Sequence, residues 1–165
     1  MEIRAAKAGD EKGMINLFKK LDSESKFMMM EPGERKISEE EQANRIKSFS
    51  ESAEKLLAVA IVNSKVVGFI IAYCGHANRT RHSAYMVIGV EKAYWRKGVG
   101  RSLIEFMENW AKASYVHRIE LTVVESNLAA RALYKKCGYI EEGVKRDSLK
   151  VDGSYVNEIY MAKLI

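Results

Sequence analysis

The residues able to do chemistry are concentrated in the middle of this chain. An apolar run ending in Ile88-Gly89-Val90 gives way to a basic stretch, Tyr94-Trp95-Arg96-Lys97-Gly98-Val99-Gly100-Arg101-Ser102, and then to apolar residues at helical spacing. This reads as strand, short basic loop, glycine-spaced helix start, helix. The first turn of a helix carries four backbone N–H groups without intrahelical partners, and the peptide dipoles add positive potential there. Gly98 and Gly100 remove Cβ atoms that would hold an anion away, while Arg96, Lys97 and Arg101 add charge. The segment suits a phosphate or pyrophosphate. No Gly-x-x-x-x-Gly-Lys-[Ser/Thr] string occurs, and Leu103 stands in the third slot of a dinucleotide fingerprint. The competing explanation is a helix start whose glycines serve only close packing.

A second constellation follows the next strand. Asn127, Ala130, Leu133, Tyr134, Lys136, Gly138 and Tyr139 stand at the spacing Asn-x-x-Ala-x-x-Leu-Tyr-x-Lys-x-Gly-[Phe/Tyr]. Together the two motifs resemble those of the GCN5-related N-acetyltransferase (GNAT) superfamily, over most of the chain. The ending, through Asp152-Gly153-Ser154-Tyr155-Val156, is similar to the branch of ribosomal-protein and amino-acid acetyltransferases.

The resemblance implies an acetyl-CoA-dependent N-acetyltransferase working by direct transfer in a ternary complex. It implies that the backbone of Ile88 to Val90 pairs with the pantetheine arm and that the loop Arg96, Lys97, Gly98, Val99, Gly100, Arg101 and Ser102 holds the pyrophosphate. Lys136 joins this cofactor set. Asn127 would hydrogen-bond the pantetheine, or serve simply as a helix N-cap. Tyr134 would protonate the leaving thiolate, or pack as a core aromatic. Seven residues separate the two, which is two helical turns, so they share a face. Trp95 departs from the family's usual Gln or Arg, so no side-chain contact with phosphate is assigned at 95. Gly89 suggests a bulge or splay opening a slot beside the next strand.

The acceptor amine must lose a proton before it attacks. Family members often use a glutamate on the central strand, but Tyr85–Val90 has no carboxylate. Glu125, Glu120 and His82 are the candidate bases, the last able to titrate near neutrality. Cys137 is set aside as a nucleophile because a helix C-terminus raises a thiol pKa. Cys74-Gly75-His76 lacks the partners for zinc, so no metal is expected.

The positioning elements follow from periodicity. Glu2–Ala6 reads as a strand and Asp10–Leu21 as an amphipathic helix with Met14, Leu17, Phe18 and Leu21 inward. Ser38-Glu39-Glu40-Glu41 is a capping box opening a second helix to about Ser52, with Ala43, Ile46 and Phe49 inward. Leu56–Val62 and Val66–Cys74 form a hairpin buried on both faces, Ser83–Val90 a further strand, and Gly98–Ala113 a helix. Ile119–Val124 is a strand, Leu128–Cys137 a helix stopped by Gly138, and Tyr139–Arg146 and Tyr155–Lys163 are strands around Asp152-Gly153. The order β-α-α-β-β-β-α-β-α-β-β gives a single-domain α/β fold, a mixed central sheet flanked by helices.

The 165 residues, 18.7 kDa and 47% apolar, fit one domain covering residues 1–165. Met1 leads straight into Glu2-Ile3-Arg4, and the longest apolar run, Leu56 to Cys74, is broken by Asn63-Ser64-Lys65. Neither a signal peptide nor a membrane span is expected, and two cysteines with no export signal point to a reducing cytoplasm. The net charge of +5 is unevenly spread: residues 31–54 hold seven glutamates against four basic residues, whereas 91–101 hold four basic residues against one glutamate. Basic residues are not interleaved with aromatics along a strand face, so no nucleic acid is expected. The acidic loop Ser25–Arg35 and the helix after it favour a cationic acceptor, an amine on a small molecule or a peptide N-terminus. A non-catalytic acyl-CoA-binding sensor is the alternative. Val151, Val156, Ile159 and Met161 suggest an exposed apolar edge and hence a homodimer.

Overall fold

A computed structural model describes residues Met1–Ile165. The elements are β1 (Glu2–Ala5), α1 (Glu11–Glu24), α2 (Glu39–Ser50), β2 (Lys55–Val62), β3 (Lys65–Cys74), β4 (Ser83–Val90), α3 (Val99–Ala113), β5 (Arg118–Val124), α4 (Leu128–Lys136), β6 (Ile140–Val151) and β7 (Ser154–Leu164). Their order is the expected one, with a short 3₁₀ turn, Lys92–Tyr94, added in the basic stretch. One seven-stranded sheet has the order β1-β2-β3-β4-β5-β7-β6, and only β4 and β5 run parallel.

Local chemistry explains the frame. Asn63 and Ser64 both take positive φ, the backbone of a tight hairpin turn that matches strand twist. The Ser38 hydroxyl accepts from the Glu41 N–H at 3.1 Å while the Glu41 carboxylate accepts from the Ser38 N–H at 2.7 Å, completing the capping box. The α1 stripe packs on Leu57, Val59, Phe69 and Ile71 of one sheet face, with Phe18 edge-on to Phe69. On α2, Ile46 is buried but Ala43 and Phe49 are only half-buried; Gln42 is fully buried instead, its amide 3.5 Å from the Met14 sulfur. On the other face Val99, Leu103, Ile104, Met107 and Ala111 of α3, with Tyr134 of α4, cover Ala84, Met86, Ile119 and Leu121.

The sheet divides at its parallel pair. β4 and β5 pair only where Ser83–Tyr85 meet Arg118–Glu120. Beyond Tyr85, β4 stays on β3 while β5 stays on β7. The expected splay is present, but the bulge is not: Gly68–Cys74 pair one for one with Ala84–Val90. Gly89 answers a packing demand, since a Cβ there would lie 2.6 Å from the Phe69 ring and 2.7 Å from Leu21 Cδ1. Gly89→Ala should therefore overpack α1 against β4 and cost about 1–3 kcal/mol. Thermal denaturation should show Tm lowered by about 2–12 °C.

The C-terminal hairpin differs from expectation. Ile159 and Met161 are 4% and 1% exposed because β7 lies inside the sheet, between β5 and β6. Val151 and Val156 are half-buried. The edge strand is β6, broken by two register irregularities, and the exposed apolar groups near it include Ile140, Val144, Tyr160 and Leu164. No helix is long and apolar enough to cross a membrane.

Candidate active site

The fork between β4 and β5 leaves backbone groups facing a slot. The Glu91 N–H bonds Val67 O of β3 at 2.9 Å. Direction alternates along an antiparallel strand, so Gly89 also faces β3 while Ile88 and Val90 face the side where β5 has turned away. Trp95 turns its indole into this slot, and its Nε1–H donates to Val90 O at 2.7 Å. The residue in the family's Gln/Arg slot thus points at the strand backbone.

The basic loop ends in an open helix start. Arg96 has φ 59° and Gly98 φ 84°, and α3 begins at Val99 with no side-chain cap. The Ser102 N–H reaches Gly98 O at 3.0 Å, so the N–H groups of the first turn point out toward the loop. The two glycines do different work. At Gly98 a Cβ would meet nothing within 4 Å, and the left-handed backbone is what requires glycine. At Gly100 a Cβ would lie 2.9 Å from Leu133 Cδ2, so this glycine lets α4 pack on α3 and does not clear an approach for an anion. Arg96 and Lys97 are exposed, Lys97 over the Tyr94 ring, while Arg101 pairs with Glu105 at 2.8 Å. Val99 is buried and Ser102 half-buried.

Glu91 anchors the loop. Its buried carboxylate holds Lys20 and, at 2.6 Å, Lys65, and the Glu24 carboxylate accepts from the Lys92 N–H at 3.0 Å. Burial would push the Glu91 carboxyl up, but the two ammonium groups outweigh it and hold it below the usual carboxylate range.

On α4, the Asn127 side chain accepts from the Ala130 N–H at 3.2 Å: it is an N-cap, and its amide NH₂ donates to no protein group. Tyr134 is 7% exposed and packs near Tyr139. Its hydroxyl has no protein partner, yet it is not among the polar atoms sealed from solvent. Burial, then the Tyr85 hydroxyl and Cys137, push this phenol well above its ordinary range, so it stays protonated. Lys136 is exposed one turn beyond Leu133, which touches the first turn of α3. Burial, then Glu108, raise the Cys137 thiol.

The three candidate bases are scattered. His82 is exposed, and its carbonyl accepts from His117 and Arg118 N–H groups at the closed end of the fork. Glu120 is also at that end, held by Arg118 at 2.9 Å. Glu125 lies just past the open end of β5, exposed, and accepts from Asn157 Nδ2 at 3.0 Å. A fourth carboxylate was not expected. Glu158 of β7, 9% exposed, accepts from the Thr122 hydroxyl at 2.9 Å, and Thr122 lies 2.8 Å from the Tyr85 hydroxyl. Its only signal in the sequence is alternation along β7, which reads equally well as a solvated strand face.

A cavity of about 360 Å³ sits at the open end of the slot, lined by Phe27, Trp95, Val124 and Val156 among others. Lys26 of the loop after α1 pairs with Asp152 of the β6–β7 turn beside it. The far end of that loop is pinned by a buried pair, Arg35 to Asp22 at 2.7 Å.

A solved structure of an acetyltransferase of the GNAT family from Streptococcus pneumoniae is similar, with a TM-score of 0.95 at 28% identity over 99% of both chains. The L-amino acid N-acetyltransferase AaaT of Escherichia coli is 34% identical over 110 residues, 64% of this chain and 66% of that enzyme. The N-alpha-acetyltransferase RimI of Mycobacterium tuberculosis is 33% identical over 97 residues, 56% and 60% of the two chains. The matched stretches thus span less than two thirds of each of these two enzymes. The model of the acetyltransferase (GNAT) family matches residues 16–139, taking in the forked strands, the basic loop and the Asn127–Tyr139 motif. The chain belongs to the acetyltransferase (GNAT) family.

Proposed function

We propose that this chain is an acetyl-CoA-dependent N-acetyltransferase that passes the acetyl group directly to a primary amine in a ternary complex. The observation that carries this reading is the fork itself. It opens the β4 backbone to a ligand's amides beside a cavity at the open end, which leaves room for two substrates to meet, as direct transfer requires. Bound acetyl-CoA supplies an activated acyl carbon with a thiol leaving group. The residues present fit it: the uncapped start of α3 with Arg96 and Lys97 takes the pyrophosphate, Ile88 and Val90 offer backbone partners, and Asn127 offers an amide donor. Val90 O already holds one donor, Trp95, and a carbonyl has a second lone pair for the arm. Tyr134 keeps its proton for the departing sulfur. The raised Cys137 thiol argues against an acetyl-enzyme.

The acceptor side is the α1/α2 face, where the cavity under Lys26 and Asp152 has room for a small amine or the end of a peptide chain. Free amino acids and protein N-termini, named for the relatives, head the acceptors to test. Free-thiol release from acetyl-CoA with L-amino acids, alanine-initiated peptides, a polyamine and an aminoglycoside should show turnover with at least one class. Tight acetyl-CoA binding with no turnover across that panel would make the chain an acyl-CoA-binding sensor instead.

The free cysteines suit a reducing cytoplasm. Ile140, Val144, Tyr160 and Leu164 beside the β6 edge give a surface for a second copy. Light scattering at micromolar concentration should report a dimer; a monomer rejects it.

A further inference from the structure

We infer that Tyr85, Thr122 and Glu158 form a proton relay that deprotonates the acceptor amine, with Tyr85 meeting the nitrogen and Glu158 receiving the proton. This rests on the transferase reading above and fills the base role left vacant on β4. The three residues come from three strands. Register and alternation put all of them on the α1/α2 face: Tyr85 opposite Tyr73, Thr122 opposite Tyr160, and Glu158 opposite Val124. Tyr85 is also the last β4 residue paired with β5. The chain therefore crosses the fork at its inner end, below the cavity floored by Val124 and Val156.

The direction of the chain is set by donor counting. A carboxylate only accepts, so the single Thr122 hydroxyl proton is committed to Glu158 Oε1 at 2.9 Å. Thr122 must then accept from Tyr85 across 2.8 Å. The Tyr85 oxygen is left with lone pairs and no other protein donor, and that is the acceptor an incoming ammonium needs. Glu158 is nearly buried, and Lys145 of β6 at 3.6 Å balances its charge in the resting state.

The step balances as follows. The ammonium N–H proton passes to the Tyr85 oxygen, the Tyr85 proton to Thr122, and the Thr122 proton to Glu158. An ammonium and a carboxylate become a neutral amine and a carboxylic acid. The nitrogen lone pair then attacks the thioester carbon and the C–S bond breaks. The second proton lost by nitrogen balances the one delivered to sulfur from the Tyr134 side, and Glu158 returns its proton to water. Tyr134 packs with α3 on one face of the sheet and Tyr85 lies on the other, so the acid and the relay reach the fork from opposite sides.

Glu158→Gln, Thr122→Val and Tyr85→Phe test this with the best amine of the panel, by kcat and KM between pH 6 and 10. Each should lower kcat/KM for the amine about 10²-fold at pH 7. The KM for acetyl-CoA should stay within about twofold. The titratable groups around the relay are Lys145 of β6 beside Glu158, Tyr160 of β7 opposite Thr122, Tyr73 of β3 beside the Tyr85 ring, and Tyr134 of α4, which the Tyr85 hydroxyl influences; none is altered by these variants. The deficit should shrink as pH passes the acceptor's own pKa, because the amine then arrives without its extra proton. A purely structural role gives a deficit independent of pH, and that result would overturn the relay. So would Tyr85→Phe and Glu158→Gln variants that each keep more than a third of kcat/KM at pH 7. Tyr85→Phe removes one oxygen and keeps the ring beside Tyr73, so it stays informative if Thr122→Val does not fold. Wild-type protein that binds acetyl-CoA but acetylates nothing fails the transferase reading and the relay together. Active wild type with unaffected variants fails the relay alone.

Discussion

Tyr134→Phe is expected to lower turnover by about 10²-fold or more while leaving affinity for acetyl-CoA within about twofold. The ring is part of the core, packed near Tyr139, and phenylalanine keeps that packing. The lost hydroxyl has no protein partner, so no buried group is orphaned and Tm should hardly move. What goes, on the proposed mechanism, is the proton meant for the departing sulfur. Burial pushes the phenol above its ordinary range, which favours the protonated acid. The same low-dielectric surroundings push up the pKa of a thiol formed there, since burial disfavours a thiolate as it does a phenolate. The two shifts oppose each other, so the raised phenol loses less driving force against this sulfur than it would against a solvated thiolate. Single-turnover and steady-state rates with the true acceptor check the effect. A variant keeping more than a third of wild-type turnover would return Tyr134 to a packing role.

The parts of this molecule legible in the sequence are those whose cause is local. The capping box at Ser38 needs only four residues, and the turn at Asn63-Ser64 is flanked by the strands it joins. The α1 and α3 stripes follow from helical period alone. What was hidden depends on partners far along the chain. The reasons for Gly89 and Gly100 are Leu21, Phe69 and Leu133, brought up by other elements. Ile159 and Met161 read as an exposed edge because no local pattern says that β7 inserts between β5 and β6. Glu158 is illegible for the same reason: its place needs the register that sets Val124 opposite it and Thr122 within reach. His82 is different. An eight-residue strand spans about 26 Å, so spacing alone already separated it from the basic loop at the other end of β4.

Gly98→Glu should weaken binding of CoA at least about tenfold, roughly 1.4 kcal/mol, in calorimetry. Position 98 is the N-cap of α3 and has no side chain to satisfy the first-turn N–H groups. A glutamate there has open space to enter, since nothing lies within 4 Å of its Cβ. Its carboxylate would accept from the same N–H groups that a pyrophosphate needs and would cancel the positive end of the dipole. It would also repel the phosphates directly. An acid at a helix N-terminus is stabilising in itself, which offsets part of the strain of an L-residue at φ 84° and favours a folded variant. Gly98→Ala carries the strain without the charge, and its CoA affinity should stay within about threefold. Acetyl-pantetheine, which has the thioester arm but no pyrophosphate, separates the cradle from the slot. Its use as an acyl donor should be nearly the same in wild type and Gly98→Glu. An equal loss with both donors would mean that the substitution deforms β4 and not the anion site. Unchanged CoA affinity in a folded Gly98→Glu protein would move the pyrophosphate elsewhere altogether.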